Sequence, residues 1–226
     1  MAAQLSLFNI GNISSRQFAP APNALEGAAL YTHGAHSIER AEQARAKGAR
    51  GFRIQAAYRA AEAGPESPRI RRSYGAFAQE VERQHAFMTT PREQGGMGLQ
   101  HEVTEHEPYP ADVHGAAAMA ADVGRGIIRT HSSAADDPHA FLTPEQNDKF
   151  RAVHDVFGHA AVGRGFSRNG EEAAFLSHRQ MFSKRAIPAL ASETRGQNSY
   201  LNYGGNNEFP DQSKKLVALP SFAGRV

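Results

Sequence analysis

The sequence contains no cysteine, which excludes disulfide bonds and thiolate-ligated metals. Its net charge is also small, because 25 lysines and arginines stand against 23 aspartates and glutamates, and a charge of +2 gives little support for a nucleic-acid partner. The dense basic segment RIRR at 69–72 is more typical of a solvated helix face than of a phosphate-binding track. Eleven histidines remain available for a site built from nitrogen and oxygen ligands.

Long apolar stretches are absent as well. No apolar run approaches the ~20 residues that a membrane-spanning helix needs, and the opening MAAQLSLFNIGNISSRQ lacks the basic start and longer apolar stretch of a secretory signal. We therefore expect no membrane partner and a cytoplasmic location. The 226 residues, 40% of them hydrophobic, are enough for one globular domain with a substantial core.

The pattern along the chain predicts an N-terminal arm followed by one domain. Residues 1–35 mix Gly, Ser, Pro and Asn without a sustained period, which predicts a poorly ordered arm. Residues 36–226 predict a single domain, mainly α with a small β element (α+β). Its first part contains helices over 37–63, interrupted near 48–51, and over 68–87, and then two strand candidates, GLQHEVTEHEPY and GRGIIRTHSS, on either side of a short helix.

The C-terminal third carries the clearest local signal. The segment TPEQ places Thr143 at the N-cap, Pro144 at the first helical position and Gln146 at the third, where Thr and Gln side chains can satisfy the free backbone N–H groups. This helix should run through two histidines and end near Gly163. Further helices are predicted over about 171–182 and 188–200. We place a candidate metal site between these packed helices, within 143–203.

The two histidines, His154 and His159, lie five positions apart with Gly158 between them. On a regular α-helix five residues correspond to about 140° of rotation, so the imidazoles would lie on different sides of the axis. Gly158 would leave a concave surface into which both rings could lean, and a glycine inside a helix costs roughly 1 kcal/mol relative to alanine, so it requires a reason. The predicted core stripe of the same helix consists of Phe150, Val153, Phe157, Ala160 and Ala161.

A third ligand should come from a neighbouring helix, and Glu193 is the first candidate. Its helical face is shared with apolar residues, and a buried carboxylate needs compensation, either from a metal ion or from a partner such as Arg164 or Arg195. Glu171 and Glu172 are the second candidates, since acidic residues at a helix start also suit the helix dipole.

The stretch HDVFGHA resembles the His-Glu-Leu-x-Gly-His motif of the pterin-dependent aromatic amino acid hydroxylases. In that family two histidines and a downstream glutamate hold non-haem Fe(II). The resemblance implies that His154, His159 and Glu193 are the metal ligands of an iron-dependent monooxygenase that uses a pterin or another reductant. Asp155 stands where the family has glutamate. The C-terminal half is also similar to small uncharacterised proteins of bacteria and phages.

Two further residues complete the predicted site. Asp155 is expected to orient an imidazole or a metal-bound water without itself binding the metal. Arg195 is expected to anchor an anionic group of a small-molecule substrate through paired hydrogen bonds. Zn(II) is the alternative metal, because it accepts the same ligands and would support hydrolysis.

Two other interpretations stay open at this point. VHDVFGHA is also similar to the His-Asp dyad of the HD-type metal-dependent phosphohydrolases, which would require another histidine, His131 or His139, and a distant aspartate such as Asp211. Alternatively, the chain is a structural or interaction protein without an active site.

Overall fold

A computed structural model describes residues 17–61, 67–136, 138–204 and 224. The described chain is mainly helical with one two-stranded sheet, which confirms the predicted fold class. Its α-helices are α1 (Pro22–Tyr31), α2 (Glu39–Glu42), α3 (Gly48–Ala60), α4 (Pro68–Thr89), α5 (Val113–Gly124), α6 (Pro144–His154), α7 (Arg168–His178), α8 (Ile187–Ala191) and α9 (Gln197–Tyr203). Its strands are β1 (Gln100–Thr104) and β2 (Ile127–His131). No helix in these ranges is long and apolar enough to cross a membrane.

The start of α6 follows directly from the segment TPEQ. The Thr143 hydroxyl accepts a hydrogen bond from the Gln146 backbone N–H at 3.2 Å, and the Gln146 side chain accepts one from the Thr143 N–H at 3.1 Å. Pro144 occupies the first turn, where its missing N–H costs nothing. The predicted reciprocal cap is confirmed.

The sheet is a β–α–β unit. β1 and β2 run parallel, with Gln100 opposite Ile127, and α5 makes the connection between them. Two strands alone are marginal in water, and α5 and α6 pack against β2 to cover it. Both predicted strands and the helix between them are confirmed.

The core forms around aromatic side chains of α4 and α6. The Phe77 ring lies 4.9 Å from the Phe150 ring and 5.5 Å from the Phe182 ring, measured between centroids. The predicted core stripe is confirmed, since all five of its members are buried. This core supports α6, while α7 packs against the segment 155–160 that continues it.

The prediction that residues 1–35 are poorly ordered is wrong for the described part of that range. α1 begins with Pro22 in its first turn, and Ala24 and Ala28 are fully buried in the main core. The backbone N–H groups of Gln17 and Ala21 donate to carbonyls beyond α6, each at 2.9 Å. Small side chains let this helix approach closely, a packing that a search for large apolar residues overlooks. Residues 1–16 lie outside the described residues.

A chain of side chains connects α4 to the sheet. His85 Nε2 lies 2.9 Å from His101 Nδ1, and His101 Nε2 lies 2.8 Å from the Thr130 hydroxyl. Burial, followed by the neighbouring His101, lowers the pKa of His85 to about 4. Burial also lowers the pKa of His101. Protonation of either histidine would add a positive charge to the hydrogen-bonded pair that connects α4 to β1.

We therefore expect acid to weaken the fold through this pair. The folded protein binds fewer protons here than the unfolded chain, so His85 stabilises the protein above pH 6.5 and loses that contribution as the pH falls towards about 4. Urea unfolding at pH 7.5 and pH 5 should show a smaller loss of stability in His85→Gln than in the wild type. An identical loss in both proteins would refute this role.

Candidate metal centre

The helix that carries both histidines changes its winding at the site. α6 continues into a π-helical segment, Asp155–Ala160, in which the Ala161 N–H donates to the Val156 carbonyl five residues earlier. Five residues therefore make about one turn. His154 and His159 consequently lie on the same side, with their ring centroids 5.2 Å apart.

The rotation of 140° expected for a regular α-helix is thus wrong, because it assumed 3.6 residues per turn throughout. The helix ends at Gly163 as predicted. Gly163 has a φ of +65° and lies against Phe18, whose carbonyl would be 2.4 Å from an added Cβ, so only glycine fits there.

A carboxylate from α7 completes a three-residue cluster. His159 Nε2 lies 3.5 Å from Glu171 Oε1, and His154 Nε2 lies 3.9 Å from Glu171 Oε2. One donor atom from each residue falls within 4.8 Å of the other two. Donors about 2.0–2.2 Å from a shared ion are separated by roughly 3–3.5 Å, so small side-chain rotations would bring these three onto one ion.

Gly158 determines how closely α7 approaches. A Cβ added at Gly158 would lie 3.1 Å from the Ala174 Cβ and 3.3 Å from His154 Cε1. Its missing side chain therefore admits both the neighbouring helix and the imidazole, which is the packing reason for a glycine at this position. Close approach at Ala174 is also what brings Glu171, one turn earlier on α7, over the histidines.

A backbone carbonyl determines that Nδ1 of His159 carries a hydrogen. Its Nδ1 lies 2.9 Å from the Arg164 carbonyl oxygen, which can only accept, so Nδ1 carries the hydrogen. In the neutral ring Nε2 then presents its lone pair towards Glu171. A second hydrogen bond of this kind is typical of histidines that bind metals.

His154 is oriented by a buried relay of side chains. Gln84 Nε2 donates to the Met181 carbonyl at 3.1 Å, which turns Gln84 Oε1 towards His178 Nε2 at 2.7 Å. Burial, followed by the neighbouring His154, holds the pKa of His178 well below its ordinary value, so His178 is neutral and its single hydrogen lies on Nε2. Its bare Nδ1 accepts from His154 Nδ1 at 3.1 Å.

Because Nδ1 of His154 carries the hydrogen, its Nε2 presents a lone pair towards His159 and Glu171. This atom is buried, and no group among the described residues hydrogen-bonds to it. An unsatisfied buried polar atom is costly, and a cation at the cluster would compensate it. The unpartnered Nε2 of His154, the Nε2 of His159 and the carboxylate of Glu171 together suit a divalent metal ion.

The electrostatics of the cluster also favour a positive charge at its centre. Burial opposes the charge of Glu171, but His159 and His154 outweigh it and lower the pKa of Glu171 to about 2. Burial likewise opposes protonation of His159, and Glu171 outweighs it and raises the pKa of His159 to about 9. A bound metal ion would replace the proton that His159 otherwise shares with Glu171.

Glu193, the predicted third ligand, is not part of this cluster. Its carboxylate accepts from the Tyr74 hydroxyl and from Gln197 Nε2, the latter at 2.6 Å, and His139 Nε2 lies 3.3 Å away. These donors satisfy the buried carboxylate without a metal or an arginine. The assignment of Glu193 is therefore corrected to Glu171, which the sequence ranked second.

Arg195 was predicted to anchor an anionic group of a substrate, but its guanidinium is already paired within the protein. Its guanidinium forms paired hydrogen bonds with Glu172 and stacks over the Phe175 ring, 3.9 Å from the centroid. Asp155 is half-buried next to His154 and His159 and hydrogen-bonds to neither of them. His178 and the Arg164 carbonyl, and not Asp155, therefore orient the imidazoles.

The additional ligands required for a phosphohydrolase are not assembled among the described residues. His139 contacts Glu193, and neither it nor His131 belongs to the cluster of His154, His159 and Glu171. Asp211, the proposed distant aspartate, lies outside the described residues.

Sequence reasoning missed the orienting residues His178 and Gln84. His178 had a signal, because it lies seven residues after Glu171 on the same ridge of α7. Gln84 carried no such signal, since its partner is 94 residues away in the sequence.

A comparison of the chain with protein-family models, curated proteins and solved structures finds no match.

Proposed function

We propose that His154, His159 and Glu171 bind a divalent transition-metal ion and that the protein is a metal-dependent enzyme, with a non-haem Fe(II) oxygenase as the best-supported class. The observation that carries this proposal is the buried Nε2 of His154, which has no hydrogen-bond partner among the described residues and faces a second imidazole and a carboxylate. Two histidines and one carboxylate with open positions are the ligand set of non-haem Fe(II) oxygenases.

Iron in such a set would supply O2 activation for the hydroxylation of a small molecule, with a pterin or another organic reductant as the electron source. The protein contributes a buried site, in which His159 is 1% exposed and the Phe166 ring lies 5.0 Å from its imidazole. Burial excludes bulk water and strengthens the electrostatic interactions around the ion. We place this activity in the cytoplasm, in line with the sequence.

The metal can be identified by electron paramagnetic resonance. Fe(II) is added to the purified protein under argon, nitric oxide is admitted as a surrogate for O2, and the spectrum is recorded for the wild type, Glu171→Ala and Glu193→Gln. We expect a high-spin iron–nitrosyl signal in the wild type and in Glu193→Gln but not in Glu171→Ala. Tight Zn(II) binding without a nitrosyl signal would overturn the oxygenase proposal and favour a hydrolase.

Asp155 is proposed to act beside the metal and not as a ligand. Asp155→Asn should keep about one metal ion per chain and weaken metal affinity only through the loss of a nearby negative charge, because Asp155 hydrogen-bonds to neither histidine. The stoichiometry can be measured by elemental analysis after dialysis. Complete loss of metal in this variant would make Asp155 a ligand and would favour the phosphohydrolase.

A further inference from the structure

A solvent-open cleft, lined in part by Glu171, lies beside the cluster of His154, His159 and Glu171. It is formed by the beginnings of α3 and α7 together with α9, and Glu171 lines it along with Glu172. The Glu171 side chain is 21% exposed, whereas that of His159 is 2% exposed. Glu171 therefore separates the buried histidines from the cleft, and a molecule in the cleft would lie beside the proposed metal.

The lining of this cleft has an excess of positive charge. Four cationic side chains face two carboxylates there, which leaves two positive charges in excess; the cations are Lys47, Arg50, Arg168 and Arg195. Arg195 is committed to Glu172, and Arg50 reaches the same carboxylate at 3.9 Å. The excess charge therefore resides mainly on Lys47 and Arg168.

These two cations have no carboxylate partner in the described part of the chain. Arg168 lies 5.1 Å from the centroid of the Tyr203 ring, a contact that fixes its position without neutralising it. Lys47 is exposed at the rim of the cleft. A guanidinium provides paired donors and an ammonium provides a point charge, and both suit a carboxylate or a phosphate.

We propose that this cleft binds an anionic group of the substrate, a carboxylate or a phosphate, through Arg168 and Lys47. The inference rests on the proposed function, because it places the rest of the substrate next to the metal held by Glu171. It also moves the role of substrate anchor from Arg195, whose charge is already used by Glu172, to these two residues.

The anion site can first be tested without metal. Inorganic phosphate and acetate are titrated separately into metal-free protein at low ionic strength, and binding is followed by calorimetry and by NMR of the added anion. We expect saturable binding of at least one of the two, weakened at least tenfold in Lys47→Gln/Arg168→Gln and unchanged in Arg72→Gln, a control in the distant basic segment. The anion that binds more tightly identifies the class.

A second experiment tests whether an anion bound in the cleft lies beside the proposed metal. With Mn(II) added, the wild type should enhance the nuclear relaxation of the bound anion, and the double variant should lose this effect while retaining Mn(II). Absence of saturable binding, or binding that the double variant does not weaken, would overturn the proposal even if metal binds. Failure of Mn(II) binding with an intact anion site would instead refute the proposed function alone. Circular dichroism verifies that each variant is folded.

Discussion

Replacing His159 by alanine is expected to reduce bound metal from about one ion per chain to near zero. The residue supplies one of three converging donor atoms, and its imidazole is fully enclosed, so no other described side chain can take its place. His154→Ala should have the same effect, because it removes the orphaned Nε2. Elemental analysis of anaerobically purified protein, with and without added Fe(II), gives the stoichiometry.

The control for this experiment is Glu193, the carboxylate first predicted as the third ligand. Glu171→Gln removes a ligand charge and should abolish tight binding, whereas Glu193→Gln should leave the stoichiometry unchanged, because Glu193 is occupied by neutral donors. Metal retained in both histidine variants would end the metal-site proposal. Metal lost in Glu193→Gln but kept in Glu171→Gln would restore the ligand set first predicted from the sequence.

A second large loss of metal affinity is expected from Gln84→Leu. Gln84 lies on α4 and reaches the proposed metal only through His178 of α7 and His154 of α6. Gln84 fixes the hydrogen of His178 on Nε2, and through it the hydrogen of His154 on Nδ1. Without this acceptor His178 can hold its hydrogen on Nδ1, which then forces the hydrogen of His154 onto Nε2, where it blocks the metal. Loss of such an orienting partner typically weakens metal affinity by 10–100-fold.

A competitive chelator titration can measure this change in affinity, with thermal unfolding recorded in parallel. Gln100→Leu, at an exposed glutamine on β1, serves as the control for the change of side-chain type. Leucine also leaves the buried Met181 carbonyl without its donor, so Gln84→Leu should be less stable as well. A destabilised variant with wild-type metal affinity would show that Gln84 supports the fold only.

Much of the local structure could be predicted from the sequence because its causes are local. The cap of α6 depends on Thr143 and Gln146, which are three residues apart, and the core stripe follows from helical periodicity. The candidate pair His154 and His159 was also recognisable, since its spacing around Gly158 is a property of one segment. The cap and the core stripe are confirmed, and the two histidines lie in one cluster, although on the same side of the helix and not on different sides.

The π-helical segment Asp155–Ala160 could not be predicted from local sequence rules. A sequence read at 3.6 residues per turn places the two imidazoles on different sides, and only the structure shows the wider winding that aligns them. Ser177 of α7 donates to the Phe157 carbonyl at 2.6 Å, so part of the support for this winding comes from a neighbouring helix.

The choice between Glu171 and Glu193 was decided by tertiary structure alone. Glu171 and Glu193 both lie on helices that follow the histidines, and both are acidic residues on partly apolar faces. Packing of Ala174 against Gly158 brings Glu171 to the imidazoles, while Tyr74, 119 residues away in the sequence, satisfies Glu193. Sequence determined which donors were available, but the carboxylate that joins them depends on contacts between distant segments, which no local pattern encodes.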